Sequence, residues 1–149
     1  FFEISRMLGD GPFCLTTVDT IFREEEFARY IAAFSEAVTS GKCDGMMGVT
    51  DYIDDEKPLY VDTDDSLGIT GFLDRSDTCR YISGGIYGLT STAIETLCGC
   101  MERGESRMRN FQRALIADGR RLKAWPFSKV LDIDHATDIK KAEDFILEE

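Results

Sequence analysis

Phe13-Cys14-Leu15-Thr16-Thr17-Val18-Asp19-Thr20-Ile21-Phe22 decides the reading of this chain: a β-branched, aromatic run that stops at an acid and gives way to a helical pattern. Such a composition predicts a buried central strand that delivers the Asp19 carboxylate to its C-terminal end. In open α/β sheets that edge is where ligands collect. Near the other end of the chain Val130-Leu131-Asp132-Ile133-Asp134 repeats the theme, a short apolar strand with acids at alternating positions. Side chains two apart on a strand share a face, so Asp132 and Asp134 are expected on one side. With the two strands side by side, Asp19, Asp132 and Asp134 form a carboxylate cluster suited to a hard cation such as Mg²⁺.

Between these strands the pattern alternates. The stretch from Arg23 through Phe34 reads as a helix, with Phe27, Tyr30, Ile31, Phe34 and Val38 at helical spacing and Gly41 as its stop. Its opening acids, Glu24 to Glu26, are accounted for by the helix macrodipole. Gly45 to Thr50 is the next strand, and strand, helix, strand in succession predicts an α/β class with a parallel sheet and crossover connections.

The section from Asp44 to Asp77 holds ten acids (Asp44, Asp51, Asp54, Asp55, Glu56, Asp62, Asp64, Asp65, Asp74, Asp77) against Lys57 and Arg75. Within it, Leu59 to Thr63 and Leu67 to Leu73 alternate like strands around Asp64-Asp65-Ser66 and predict a β-hairpin. The acids at its tip lack the spaced Gly and closing Glu of a calcium loop and read as a solvated turn. Tyr81 to Leu89 is a strand interrupted by Gly84-Gly85, which marks either a bulge or a close approach by a ligand or another backbone. Helices are predicted over Thr92 to Arg103 and Glu105 to Asp118. Seven bases from Arg103 to Lys123 read as a solvated helix face. Arg121 to Phe127 is a strand that Pro126 places at an edge. A last helix carries Ile139, Ala142, Phe145 and Ile146 on its apolar face, with His135 as a capping or surface residue before it.

Composition sets limits. The chain has 149 residues, one domain's length, and 28 acids against 17 bases give a formal net charge of −11. That balance disfavours nucleic acid or an anionic membrane surface as a partner, since both need a basic footprint. No apolar run approaches the roughly 20 residues that span a bilayer. The five cysteines lack a zinc-ligand spacing, and Cys98 and Cys100 would project about 200° apart on a helix. They read as free thiols in a reducing cytoplasm. Phe1 to Leu8 begins inside an amphipathic pattern, so the chain is expected to be part of something longer.

Four strings together resemble the sugar-phosphate nucleotidyltransferases, the family of nucleoside-diphosphate-sugar pyrophosphorylases and related phosphocholine cytidylyltransferases. They are Val18-Asp19-Thr20, Gly68-Ile69-Thr70-Gly71-Phe72, Ser83-Gly84-Gly85-Ile86-Tyr87, and the closing Asp132-Ile133-Asp134-His135-Ala136-Thr137-Asp138-Ile139-Lys140-Lys141-Ala142-Glu143. The resemblance covers nearly all the residues present and corresponds to the C-terminal two-thirds of such a protein. It implies a Rossmann-like α/β fold with a mixed, mainly parallel sheet and flanking helices, one partial domain over 1–149 whose N-terminal nucleotide-binding part is missing. It further implies Asp19, Asp132 and Asp134 around Mg²⁺, Asp19 and Asp132 being the catalytic pair, and Gly84 and Gly85 facing the acceptor. The family's Glu-Lys pair after the hairpin is Asp74-Arg75 here, which leaves Arg75 as the expected contact to the acceptor phosphate. The final helix departs too, opening His135-Ala136-Thr137-Asp138 in place of Thr-Pro-Glu-Asp.

By this resemblance the intact parent transfers a nucleotidyl group from a nucleoside triphosphate to a sugar 1-phosphate or similar phosphorylated acceptor, while the residues present are expected to be inactive alone. The rivals are a non-catalytic regulatory or assembly subunit of the same fold, and a nucleotide-sugar-dependent glycosyltransferase. Self-association into a homo-oligomer is also expected, because a sheet without its first strands presents an open edge.

Overall fold

A computed structural model describes residues 1–53 and 57–148. Three acids of the acidic section, Asp54, Asp55 and Glu56, lie outside the described residues. In chain order the elements are α1 (Phe2–Ser5), β1 (Phe13–Thr16), β2 (Thr20–Ile21), α2 (Glu24–Thr39), β3 (Gly45–Thr50), β4 (Tyr60–Thr63) and β5 (Ile69–Leu73). There follow β6 (Tyr81–Leu89), α3 (Thr92–Glu102), α4 (Met108–Ala117), β7 (Leu122–Phe127), β8 (Leu131–Asp132) and α5 (Ala136–Leu147).

Five strands of the main sheet lie in the order β5-β4-β6-β3-β7, and β1 joins the outer edge of β6 beyond β4. The sheet is mixed. Strand directions give β1, β3, β4 and β7 one sense and β5 and β6 the other, yet only β3 and β7 are parallel neighbours because β6 runs between the rest. Strand β3 lies between β6 and β7, and every one of its residues is buried. The expected β-hairpin is present as β4 and β5, and β7 ends the sheet, where Pro126 costs no ladder hydrogen bond.

Two apolar clusters cover the two faces. Met47, Val49, Tyr87, Leu89 and Leu122 pack with Leu97 of α3 and Phe111 and Leu115 of α4. Met46, Ile86 and Phe127 pack on the opposite side with Tyr30 and Phe34 of α2. Successive residues of β3 and β6 thus serve alternate faces, as a strand buried on both sides must. Gly88 is where α2 comes closest: a Cβ there would lie 2.6 Å from the Tyr30 hydroxyl and 3.0 Å from the Phe34 ring.

The opening run departs from its expected form. Phe13 to Phe22 is two strands in two sheets, broken at Thr17 to Asp19, and β1 is half exposed with β6 as its one partner among the described residues. The break is a turn: the Thr17 N–H still donates to the Gly85 carbonyl at 3.1 Å, in line with the β1–β6 register, and the Thr20 N–H then turns back to the Thr17 carbonyl at 3.3 Å. Val18, at the crest of the turn, is fully exposed.

Helix α4 begins at Met108 instead of Glu105, because Arg107 is extended and Gly104 has a positive φ. On α5 only Ala142 and Phe145 are buried; Ile139 and Ile146 are exposed. Four of the bases after Arg103 hold elements together instead of forming a free solvated face. Arg109 and Arg113 both pair with Asp74, Arg120 with Glu95 and Arg121 with Asp44. Likewise Glu26 does more than complement a helix dipole, since its carboxylate accepts the Ser128 N–H at 2.9 Å and the Ser128 hydroxyl at 2.5 Å.

Candidate functional site

The site is built on an interruption in β6. Gly48 of β3 faces Ile86 while the next residue, Val49, faces Ser83, so Gly84 and Gly85 form a bulge without partners in that ladder. Gly85 has φ +73°, a backbone region that L side chains rarely adopt. A Cβ there would lie 2.7 Å from Thr17 Oγ1 and 2.9 Å from Thr20 Oγ1. The bulge therefore lets the turn between β1 and β2 settle against the sheet.

That turn carries Asp19 to the closing strand. Strands β2 and β8 pair antiparallel, Thr20 against Asp132 and Ile21 against Leu131, and the Ile133 N–H donates to the Asp19 carbonyl at 2.9 Å. The two stretches expected to lie together do so. Thr20 forms a hydrogen bond with Thr17 and donates to Asp132 Oδ1 at 3.1 Å, fixing one oxygen of that carboxylate.

Tyr87, buried below, senses both acids. Burial pushes its hydroxyl above the ordinary 10.0, a hydrogen bond with Ser83 pulls it down, and the charges of Asp132 and Asp19 push it up again. Both carboxylates thus act on one buried point. A cavity of about 20 Å³ lies beside them, lined by Thr50, Ser83, Gly84, Asp132, Asp138 and Lys141, with room for one water.

Strand β8 ends at Asp132, and the Asp134 and His135 N–H groups both donate to Asp138 Oδ2, at 3.2 Å and 2.9 Å, which starts α5. The backbone donors from His135 and Asp134 hold the Asp138 carboxyl below its ordinary value, with Lys141 and His135 adding to the effect. His135 is the N-cap, as its position suggested. Among the described residues no group of three His, Cys, Asp or Glu side chains could hold a metal ion, so the cluster of three carboxylates is not assembled.

Arg75 is also apart from the bulge. It lines a separate cavity of about 680 Å³ beside the hairpin, with Lys57, Tyr60, Asp74, Asp77 and Arg109. Asp64 at the hairpin tip is used in the turn itself, accepting from the Ser66 N–H and hydroxyl and the Gly68 N–H. All five cysteines are unpaired. Sequence reasoning missed Thr17, Thr20 and Lys141. The Asp138 and Lys141 spacing of three within a helix was the available signal for the last, and the two are 3.7 Å apart.

No protein-family profile matches the chain, and no curated protein matches it either. Solved structures do. The inositol-1-phosphate CTP transferase from T. maritima superposes with a TM-score of 0.78 at 20% identity, over 99% of this chain and 61% of that one. An apo UDP-glucose pyrophosphorylase gives 0.76 at 14% identity, over 97% and 57%. A nucleoside-diphosphate-sugar pyrophosphorylase from Vibrio cholerae RC9 gives 0.63 at 13%, over 93% and 59%. Among the described residues no helix is long and apolar enough to cross a membrane. The chain thus has the mixed α/β fold of the sugar-phosphate nucleotidyltransferases and spans about three-fifths of the length of the structures it matches.

Proposed function

We propose that this chain belongs to a protein that transfers a nucleotidyl group from a nucleoside triphosphate to a phosphorylated small-molecule acceptor, a sugar 1-phosphate or a phosphocholine-like compound. The observation that carries the reading is the convergence of Asp19 and Asp132 on paired strands beside the β6 bulge, in this fold. An acceptor phosphate oxygen attacks the α-phosphorus in line; the new P–O bond forms as the bond to the β-phosphate oxygen breaks, and pyrophosphate leaves. The attacking oxygen is already anionic, so no general base is needed. The protein's tasks are positioning and charge stabilisation.

The residues present fit Mg²⁺ of the kind held by one or two carboxylates plus substrate phosphates, not a cation caged by protein alone. Asp19 and Asp132 would hold it, Thr20 keeping Asp132 oriented, and the ion would supply positive charge to the phosphates when bound. Lys141, near Asp132 in the small cavity, adds fixed positive charge. The Gly84 and Gly85 backbone offers the acceptor a floor without side chains. Arg75 is the proposed anion contact in the cavity beside the hairpin. A cytoplasmic location is part of the same proposal, resting on the five unpaired thiols.

The test is a calorimetric Mn²⁺ or Mg²⁺ titration of the chain and its Asp19→Ala and Asp132→Ala variants, with a sugar 1-phosphate and phosphocholine added in turn. Weak binding that both variants lose, and that one acceptor strengthens, supports the reading and selects the acceptor class. No metal binding in the presence of either acceptor counts against it and favours a non-catalytic subunit of the same fold.

A further inference from the structure

At the opposite end of β3 lies a second concavity, of about 310 Å³, lined by Lys42, Cys43, Ser66, Gly68, Arg121, Leu122 and Lys123. Three bases and no acid line it, in a chain of net charge −11. Most arginines of this protein have a carboxylate partner, whereas among the described residues neither Lys42 nor Lys123 has one. Arg121 is held in place: its guanidinium donates to the Gly41 carbonyl at 2.9 Å and lies 3.5 Å from Asp44 Oδ1, while its N–H donates to Asp44 Oδ2 at 2.7 Å. Two nearby acids are engaged, Asp44 with Arg121 and Asp64 with the hairpin turn, while Asp65, next to Ser66, is exposed. The buried Cys43 thiol between these charges is raised by burial; a Gly45 backbone bond lowers it, Asp44 raises it, and Lys123 and Arg121 lower it.

We propose that Lys42, Arg121 and Lys123 form a binding site for a small phosphate-bearing polyanion, distinct from the carboxylate site. The six residues of β3 separate the two by roughly 17 to 20 Å. Cations left unpaired in an acidic protein repel one another, and a polyanion relieves that repulsion while a monovalent anion does so weakly. The site also joins two elements. Ser66 and Gly68 belong to the hairpin tip, which is fastened to β7 by the bridge between Gly68 and Lys123 and by the Ala124 N–H donating to the Leu67 carbonyl at 2.8 Å. An anion seated here clasps the hairpin to the ends of β3 and β7, and the other end of that hairpin leads to Asp74 and Arg75. Occupancy therefore stiffens the element that carries the cavity beside Arg75.

The test uses inorganic pyrophosphate as the probe, in EDTA so that no divalent cation bridges it to Asp19 and Asp132, with inorganic phosphate and a nucleoside triphosphate in parallel. Binding by calorimetry is expected to weaken by about tenfold or more in Lys42→Ala and in Lys123→Ala, to survive in the arginine variants at both positions, and to survive in Asp132→Asn. It should be weaker for phosphate and fall with salt. Equal affinity for pyrophosphate and the triphosphate would assign recognition to the phosphates alone; tighter triphosphate binding that is equally lost in the variants would add the nucleoside as a ligand group of the same site. Hydrogen exchange at the Ser66 and Gly68 amides should slow on binding. No pyrophosphate binding at millimolar concentration, or binding unchanged in a folded Lys42→Ala, Lys123→Ala double variant, overturns the proposal.

Discussion

The Thr20 hydroxyl donates to Asp132 Oδ1 at 3.1 Å and so joins two strands 112 residues apart in the chain. The bond leaves the other carboxylate oxygen's direction set by the first. Thr20→Val keeps the side-chain shape and removes the donor. Its expected effect is a several-fold loss of Mn²⁺ affinity, about 1 kcal/mol, with little change in thermal stability because the bond is exposed. Calorimetry and a melting curve on the same sample check this, and an affinity equal to wild type would remove Thr20 from the positioning of Asp132.

Gly85 supports the same junction from the sheet side. An alanine there must take a φ of +73° and place its Cβ 2.7 Å from Thr17 Oγ1. Gly85→Ala is expected to cost about 1 to 3 kcal/mol, read as a lower urea midpoint with unchanged slope. Gly71 is a control, since a Cβ there has one neighbour, at 4.0 Å. A Gly85→Ala variant as stable as wild type would mean that the turn shifts freely.

Much of this architecture is legible in the residues, and what is not has a local cause. The hairpin around Asp64 to Ser66, the strand β3 and the helix after Arg23 follow from period and turn chemistry, while the pairing of the Asp19 stretch with the Asp132 stretch is a supposition that the structure bears out. Strand continuity does not follow from period. Phe13 to Phe22 has the composition of one strand, but it breaks where the Thr20 N–H turns back to the Thr17 carbonyl, and Gly85, nearly seventy positions away by sequence, leaves the room for that turn. The end of β8 at Asp132 is equally hard to read, because alternation along a strand stops applying where Asp138 recruits the Asp134 and His135 backbone donors for a helix start. Charge pairing was the least visible: nothing in the spacing of Asp74, Arg109 and Arg113 shows that they meet.

Strand β1 has one hydrogen-bonding edge on β6 and no strand on its other edge among the described residues. Unpaired edges recruit further strands. Light scattering is expected to show concentration-dependent association of the chain, and Thr16→Lys, which adds a charge at the exposed end of β1, should reduce it. A monomer at high concentration would count against association through this edge.

Tyr30 gives the protein an alkaline limit. It is fully buried, and its hydroxyl donates to the Met46 carbonyl at 2.7 Å. Burial raises its pKa far above the ordinary 10.0; the Cys14 charge and hydrogen bond raise it further, a backbone bond with Gly88 opposes them, and Cys43 adds a smaller upward push. The folded pKa therefore exceeds the unfolded one. The stability this group contributes is complete below pH 10 and is lost as pH rises towards the folded pKa, because the unfolded chain releases the proton first. The loss approaches about 1.4 kcal/mol per pH unit for one such group. Cys14, Cys43 and Cys100, raised above an ordinary 9.0, begin the same kind of loss about one unit lower. Urea unfolding between about pH 8 and about pH 11 should show stability falling from about pH 9 and more steeply above about pH 10. Tyr30→Phe should lower stability at neutral pH by about 1 to 3 kcal/mol, since a buried carbonyl loses its donor. The same variant should fall less steeply at the alkaline end, because the thiols and Tyr87 still titrate but Tyr30 does not. Parallel curves for wild type and Tyr30→Phe would show that Tyr30 ionises alike in both states, which its burial against Gly88 and Phe34 forbids.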